Sequence, residues 1–409
     1  MQIRLRAGAL AHRDYALFFS GQLVSLIGSW MQSLGQSWLI LQLTGSPWKL
    51  GLISTLQFTP MLFFSLFSGA IIDRLPKRKL ILSTQVLFMV LALILSALVY
   101  TNTVQYWHVA VLALALGVVN TFDLPARQAY VVEMVGKADL ASAVALNSAI
   151  FNGARIVGPA IAGLLIARYG IAPAFFLNGV SFVAVIIALS LIRAEGLPKG
   201  ERKGSMLHEI GEGLRYAWSA PPVLFVIAMV MFVGVLVINW SVLVPSFAQG
   251  VLHQEAQGYG GLMSAMGMGA LVGALLRAAQ NRANPPLRSI IIPAVLMSAA
   301  AVSMFFVRTY WVAAVALFVI GFGMIQFLTG ANTKVQMAAP DHLRGRVMSL
   351  YTLANAGTAP LGSMYTGAVT EAYGASIGFL VAGSLGLTAI TGLMALWWKF
   401  LRHREDGAL

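Results

Sequence analysis

Four side chains in this 409-residue sequence stand where charge is expensive and can therefore do chemistry: Asp73, Asp123, Arg127 and Arg155. Arg155 lies in ALNSAIFNGARIVGPAIAGLL (145–165), and no other Lys or Arg falls near the middle of a long apolar run. A guanidinium in hydrocarbon needs a partner, so such a residue marks a substrate or ion pathway by default. Asp123 and Arg127 stand one helical turn apart in FDLPARQAYVVEM (122–134). Asp73 opens DRLPKRK (73–79), five charges and a proline wedged between two uncharged stretches, 50–72 and 80–100. There is no His-Glu-x-x-His helix and no phosphate-binding Gly-Lys loop, and the six histidines are scattered. With no cysteine, thiol catalysis, disulfides and cysteine metal sites are excluded. The reading is of a protein that is not an enzyme and takes no cofactor or metal.

The elements that must position these residues follow from composition. The chain is 58% hydrophobic and 10% charged, where a globular domain carries about a quarter charged residues. It has too little polar surface to face water all round. Twelve apolar runs are each long enough to cross a membrane of about 30 Å as a helix: 15–42, 50–72, 80–101, 107–128, 141–169, 172–193, 222–248, 259–279, 290–307, 311–333, 347–372 and 375–398. Strand-like alternation is absent, which argues against a membrane β-barrel. Residues 1–14 are basic, but the apolar run after them is too long for a signal-peptide core, so it is expected to be a retained first helix.

The net charge of +13 reports topology rather than a nucleic-acid partner. With both termini cytoplasmic, all Lys and Arg except Lys49, Arg168, Arg308 and the intramembrane Arg155 fall on the cytoplasmic side, as the positive-inside rule requires.

A repeat at an offset of 204 residues runs through the chain. Gly69-Ala70 falls on Gly273-Ala274, Tyr106-Trp107 on Tyr310-Trp311, and Gly153, Gly158 and Gly163 on Gly357, Gly362 and Gly367. The expected fold is an all-α integral membrane protein with twelve transmembrane helices in two pseudo-symmetric six-helix bundles, residues 1–193 and 222–409. A cytoplasmic linker, 194–221, carries a short amphipathic helix whose Leu207, Ile210, Leu214 and Trp218 could lie on the membrane surface or merely tether the halves. This is the architecture of major facilitator transporters.

The turn at 73–79 resembles the loop signature of that superfamily, carried here by Gly69, Asp73, Arg74, Lys77, Arg78 and Lys79, with Pro76 where the family usually has glycine. The resemblance implies a latch in which Asp73 docks at the start of helix 11, near 341–346. The alternative for the basic residues is anchoring to anionic lipid. Gly158-Pro159 and Gly163 resemble the helix-5 motif of drug:proton antiporters, with Ala162 in place of a glycine. Pro159 invites a kink and the glycines admit a neighbouring helix. Residues 122–134 and APDHLRGRVMSLY (339–351) resemble the drug- and siderophore-exporting branch that includes the enterobactin exporters.

Depth counting along helices 4 and 5 predicts an Asp123–Arg155 pair, with Arg127 and Arg74 as rival partners of Asp123, the alternative being that Asp123 only closes the helix before Pro125. No Asp or Glu stands at the centre of any run, so Asp123 is the remaining candidate proton acceptor. Gln32, Gln36, Asn152, Asn239, Trp240 and Gln326 are candidate cavity residues, or else interhelical glue. The expectation is a monomeric secondary active exporter in a bacterial inner membrane. It would move an amphipathic small molecule, drug or siderophore, and the resemblance implies proton-coupled antiport. Its partners would be substrate, protons and membrane lipid, with no nucleic acid. An importer or facilitator of a small nutrient, and a non-transporting receptor or scaffold, are the alternatives.

Overall fold

The computed structural model describes residues 8–196, 206–280, 285–340 and 343–406, without the side chains of 65–67, 70, 73, 206–210, 212–213 and 399–406. Among the described residues every regular element is helical. The α-helices are α1 (Arg13–Thr44), α2 (Pro47–Arg74), α3 (Lys77–Tyr100), α4 (Tyr106–Tyr169), α5 (Ala172–Leu191), α6 (Met206–Ser219), α7 (Pro221–Leu236), α8 (Trp240–Gly250), α9 (Ala256–Gln280), α10 (Arg288–Ser303), α11 (Tyr310–Ala338), α12 (Arg344–Tyr373) and α13 (Ala375–Asp406). In hydrocarbon no water can satisfy backbone N–H and C=O groups, and a helix satisfies them within one segment.

Among the described residues, eight stretches are long and apolar enough to span a bilayer, one of them the joined α7–α8 stretch Pro221–Gly250. The twelve apolar runs read from the sequence do not map one to one on these. The 64-residue α4 carries two runs, and α1, α2 and α12 are helices over three more. Helices α1 and α12 are diluted by Ser, Gln, Gly and Thr facing other helices, which lowers their hydropathy without making them soluble.

The chain packs into two compact units, residues 1–44 with 59–203, and 45–58 with 204–409. In the first unit, α5 runs antiparallel to α1, since Gly21 faces Ala184 and Ala188 while Gly35 faces Phe175. It is antiparallel to α3 as well, through Arg78 against Leu189 at one end and Ser96 against Ala172 at the other. The first part of α4 opposes α3, with Glu133 beside Lys77 and Asp123 beside Thr84. The second part runs along α1, from Ala143 at Tyr15 to Gly158 at Trp30. Helix α4 therefore reverses direction, and it does so at Gly136 (φ 68°, ψ 178°), a conformation essentially reserved for glycine.

In the second unit, α9 and α11 lie side by side in parallel with their backbones nearly touching. A Cβ on Gly269 would strike the carbonyl oxygen of Phe318, and one on Gly321 that of Met266. Helix α10 packs antiparallel on α11 (Gly330 at Ile290, Gly323 at Met297) and on α13 (Gly383 at Val302). Helix α7 lies along α12, with Gly234 against Thr358. The linker helix α6 leaves Leu214 and Trp218 exposed and bonds Tyr216 Oη–H to Ala338 O at 2.8 Å; the side chains of Leu207 and Ile210 lie outside the described ones.

Candidate functional site

Two clusters of polar side chains lie inside the first unit. The first is centred on Asp123, which is only 5% exposed. Oδ1 accepts from Thr84 Oγ1–H at 2.5 Å and from Gln85 Nε2–H at 2.9 Å. Oδ2 accepts from Arg127 Nε–H at 2.5 Å. Both carboxylate oxygens thus have partners in an apolar surround, which offsets the desolvation of the charge.

This corrects the expected Asp123–Arg155 pair: the carboxylate is bonded to Arg127, one turn along its own helix. The reason lies in the turn. From Gly136, Asp123 is 13 residues back and Arg155 is 19 residues on, so at ~1.5 Å per residue Arg155 stands about 9 Å deeper. Depth counted from the other ends of the helices missed that stagger.

The same unit absorbs most of the charged turn. Lys77 is 0% exposed and its Nζ pairs with Glu133 Oε1 at 2.9 Å. Arg78 donates from Nε to Leu189 O at 2.7 Å and from Nη2 to Ser190 O at 2.9 Å, satisfying carbonyls at the C-terminus of α5. Neither side chain is a free anchor for lipid; of the three basic residues only Lys79 is exposed. Around Lys77, its N–H bonds to Gly196 O at 2.8 Å, and Tyr130 Oη–H to Ala194 O at 2.6 Å. Asp14 Oδ2 accepts from the N–H groups of Arg193 and Ala194. The chain leaving α5 is tied down in this way. Asp73 stands in the last turn of α2, with its side chain outside the described ones, and residues 341–342 at its expected dock are outside them entirely. Gly69 is on the same helix, where a Cβ would meet nothing within 4 Å, and Arg74 is exposed.

The second cluster surrounds Arg155, which is 8% exposed. Its guanidinium carbon lies 5.7 Å from the centroid of the Trp30 ring, a cation–π distance. Trp30 also meets Phe151 edge-on at 5.6 Å. Gly158 makes this stack possible: a Cβ there would lie 2.5 Å from Trp30 Cβ and 2.9 Å from Ile27 O. The glycine of the Gly-Pro motif thus lets α1 close on α4 and brings the indole over the arginine. Pro159 and Gly163 are buried in the turns that follow. Asn152, one turn before Arg155, donates Nδ2–H to Ser148 O at 2.8 Å, and its buried Oδ1 has no hydrogen-bond partner among the described residues.

Gln32 Oε1 accepts from Asn178 Nδ2–H at 2.6 Å, a bond joining α1 to α5. Gln36 lies half-buried on α1.

The second unit has its own polar interior at the break between α7 and α8. Residues 237–239 leave the helix, and Asn239 (φ −123°, ψ 43°) precedes α8 without a side-chain cap. Asn239 Nδ2–H turns back to Val235 O at 2.7 Å, while its Oδ1 and the indole N–H of Trp240 are buried with no hydrogen-bond partner among the described residues. Non-helical backbone at this depth is tolerated only where protein or a cavity surrounds it. Here Gly362 of α12 closes on it, and Trp240 stacks on Phe379 at 6.2 Å. Gln326 is 5% exposed on α11.

Sequence reasoning missed Thr84, Gln85 and Glu133. The polar pair Thr84-Gln85 inside the otherwise apolar 80–100 run was the legible signal. Gly374-Ala375-Ser376-Ile377-Gly378 has the spacing of a hydrolase nucleophile elbow, but that elbow joins a strand to a helix, and here the segment joins α12 to α13. No group of three or more His, Cys, Asp or Glu able to hold a metal occurs among the described residues.

Buried polar contacts of this kind, Lys77 with Glu133 between α3 and α4 among them, join the helices of a chain otherwise made of apolar residues. The chain belongs to the major facilitator family described as transmembrane secretion effector, whose model matches residues 7–406. It is therefore a multi-pass membrane transporter of a family of transporters, not enzymes. It is 30% identical over 402 residues to the multidrug efflux pump Tap of Mycobacterium tuberculosis, covering 95% of this chain and 94% of that one. It is 24% identical over 400 residues to the enterobactin exporter EntS of Escherichia coli, covering 96% and 93%. Its fold is similar to that of the nucleoside transporter NupG, with a TM-score of 0.74 at 13% identity over 94% of this chain and 98% of that one.

Proposed function

We propose that the protein is a secondary active exporter of amphipathic small molecules, working by alternating access of two six-helix halves in a bacterial inner membrane with both termini cytoplasmic. The observation that carries this reading is the near full-length similarity to pumps named for drug and siderophore export, joined to the Arg155–Trp30 stack at the Gly158-Pro159 motif. A guanidinium lying on an indole offers an amphipathic molecule both an aromatic edge and a charge. Direction is not a property of the fold; the helix-5 motif and the exporter relatives support it.

Proton-coupled antiport fits a sequence with no nucleotide-binding loop. Asp123 is the proposed proton acceptor. Arg127, Thr84 and Gln85 hold both of its oxygens here. Coupling in this reading consists of switching Arg127 away from Asp123. Asp73 is proposed to latch the start of α12 in the closed-inside state.

The reading is tested in a pump-deficient bacterium by efflux of a preloaded fluorescent lipophilic cation. Energy-dependent efflux that collapses with a protonophore is expected. Absence of efflux, with the protein present in the membrane, refutes the broad drug exporter and moves the substrate to a siderophore-like molecule.

A further inference from the structure

Residues 45–58, which hold the first turns of α2, pack with residues 204–409, while residues 59–74 pack with the first unit. One continuous helix belongs to both units, and Pro60 stands at the crossing. A proline inside a helix removes a main-chain hydrogen bond and favours bending there. The turns of α2 before Pro60 are thus held by the second unit and those after it by the first.

The seam that holds those turns lies on α12. Ser46 caps α2: its Oγ accepts from Lys49 N–H at 3.2 Å and donates to Oε2 of Glu371 at 2.8 Å. The same Oε2 accepts from Trp48 N–H at 3.2 Å. A carboxylate from a distant helix thus supplies what the acidic member of a capping box supplies from within, and it sets negative charge at the positive end of α2. One turn on, a Cβ on Gly51 would strike the carbonyl oxygen of Ser363, and one on Gly367 would lie 3.0 Å from Pro47 O. Thr55 Oγ1–H completes the seam to Pro360 O at 3.0 Å. Glu371 is the sole acidic residue of α12, so no other carboxylate of that helix can take over its bonds to Ser46 and Trp48.

We propose that Glu371 is a clasp: it caps α2 from α12, and its hold on Ser46 and Trp48 sets how readily the first turns of α2 leave the second unit. Its consequence for transport rests on the alternating-access reading above; the clasp itself does not.

The absence of cysteine makes the test clean. Lys49→Cys and Ala372→Cys, both at exposed positions, carry spin labels, and interlabel distances are measured in lipid nanodiscs without substrate. The parent is expected to show a short-distance population. Glu371→Ala should cut it about fivefold relative to the separated population, the size of a lost helix cap. Glu371→Gln still offers an oxygen to both donors and should keep most of it. Ser46→Ala should lower it alone and add little on top of Glu371→Ala. No short population in the parent, an unchanged distribution in Glu371→Ala, or simple additivity with Ser46→Ala would each overturn the clasp. The readout needs neither substrate nor gradient, so an efflux failure is separate from a failure here.

Discussion

Lys77 Nζ lies 2.9 Å from Glu133 Oε1, with no part of the lysine exposed and the glutamate keeping 22%. A residue met in a charged turn is thus spent inside the first unit, joining α3 to the first part of α4. Removing one partner of a fully buried pair typically costs about 3–5 kcal/mol. Because Glu133 is partly solvated, Lys77→Ala should cost less, about 2–3 kcal/mol. Thermal denaturation in detergent should show a lowered midpoint. Lys77→Met with Glu133→Gln should recover part of it, since no charge is then left buried alone.

Asp123 and Arg127 should behave as one unit, and Asp123 and Arg155 as two. Asp123→Ala strands Thr84, Gln85 and Arg127 together, whereas Asp123→Asn keeps an acceptor for the first two. The alanine variant should therefore be the less stable by about 1–3 kcal/mol. In a double-mutant cycle, Asp123→Ala with Arg127→Gln should be strongly non-additive, and Asp123→Ala with Arg155→Gln additive. Coupling between Asp123 and Arg155 would contradict the geometry.

The stack of Arg155 on Trp30 predicts a graded series in the efflux assay. A buried cation–π contact is worth about 1–2 kcal/mol. Trp30→Phe keeps an aromatic face and should cost a few-fold in rate. Trp30→Ala and Arg155→Gln should each cost about tenfold or more. Equal rates for Trp30→Phe and Trp30→Ala would show that the ring face is not used.

Gly136 and Gly153 make a matched pair for the backbone. Each has open space where a Cβ would stand, but Gly136 alone has a positive φ, 68°. Gly136→Ala should destabilise by about 1–3 kcal/mol from strain, while Gly153→Ala should be neutral or slightly stabilising through better helix propensity. Gly158→Ala should also be harmful, because its Cβ meets Trp30 and the Ile27 carbonyl. Midpoints for the three variants in one detergent decide the matter.

The sequence by itself determined the solvent and the kind of element. With 10% charged residues and long apolar runs, the chain had to be helical in a membrane, because burial of backbone polar groups in lipid leaves little else. It also exposed Arg155, Asp123 and the Gly158-Pro159 motif, since a charge or a glycine-proline step stands out against apolar residues. The tertiary structure alone decided which charges meet. Asp123 bonds Arg127 on the part of α4 that faces α3, whereas beyond the reversal at Gly136 Arg155 stands on the part that runs along α1. Lys77 turned inward because Glu133 arrives from a helix whose approach no local spacing encodes. Glu371, more than 320 residues from Ser46 in the chain, reaches the end of α2 only through helix packing. Periodicity reports the face a residue presents to lipid. The partner on its other face depends on how helices stack.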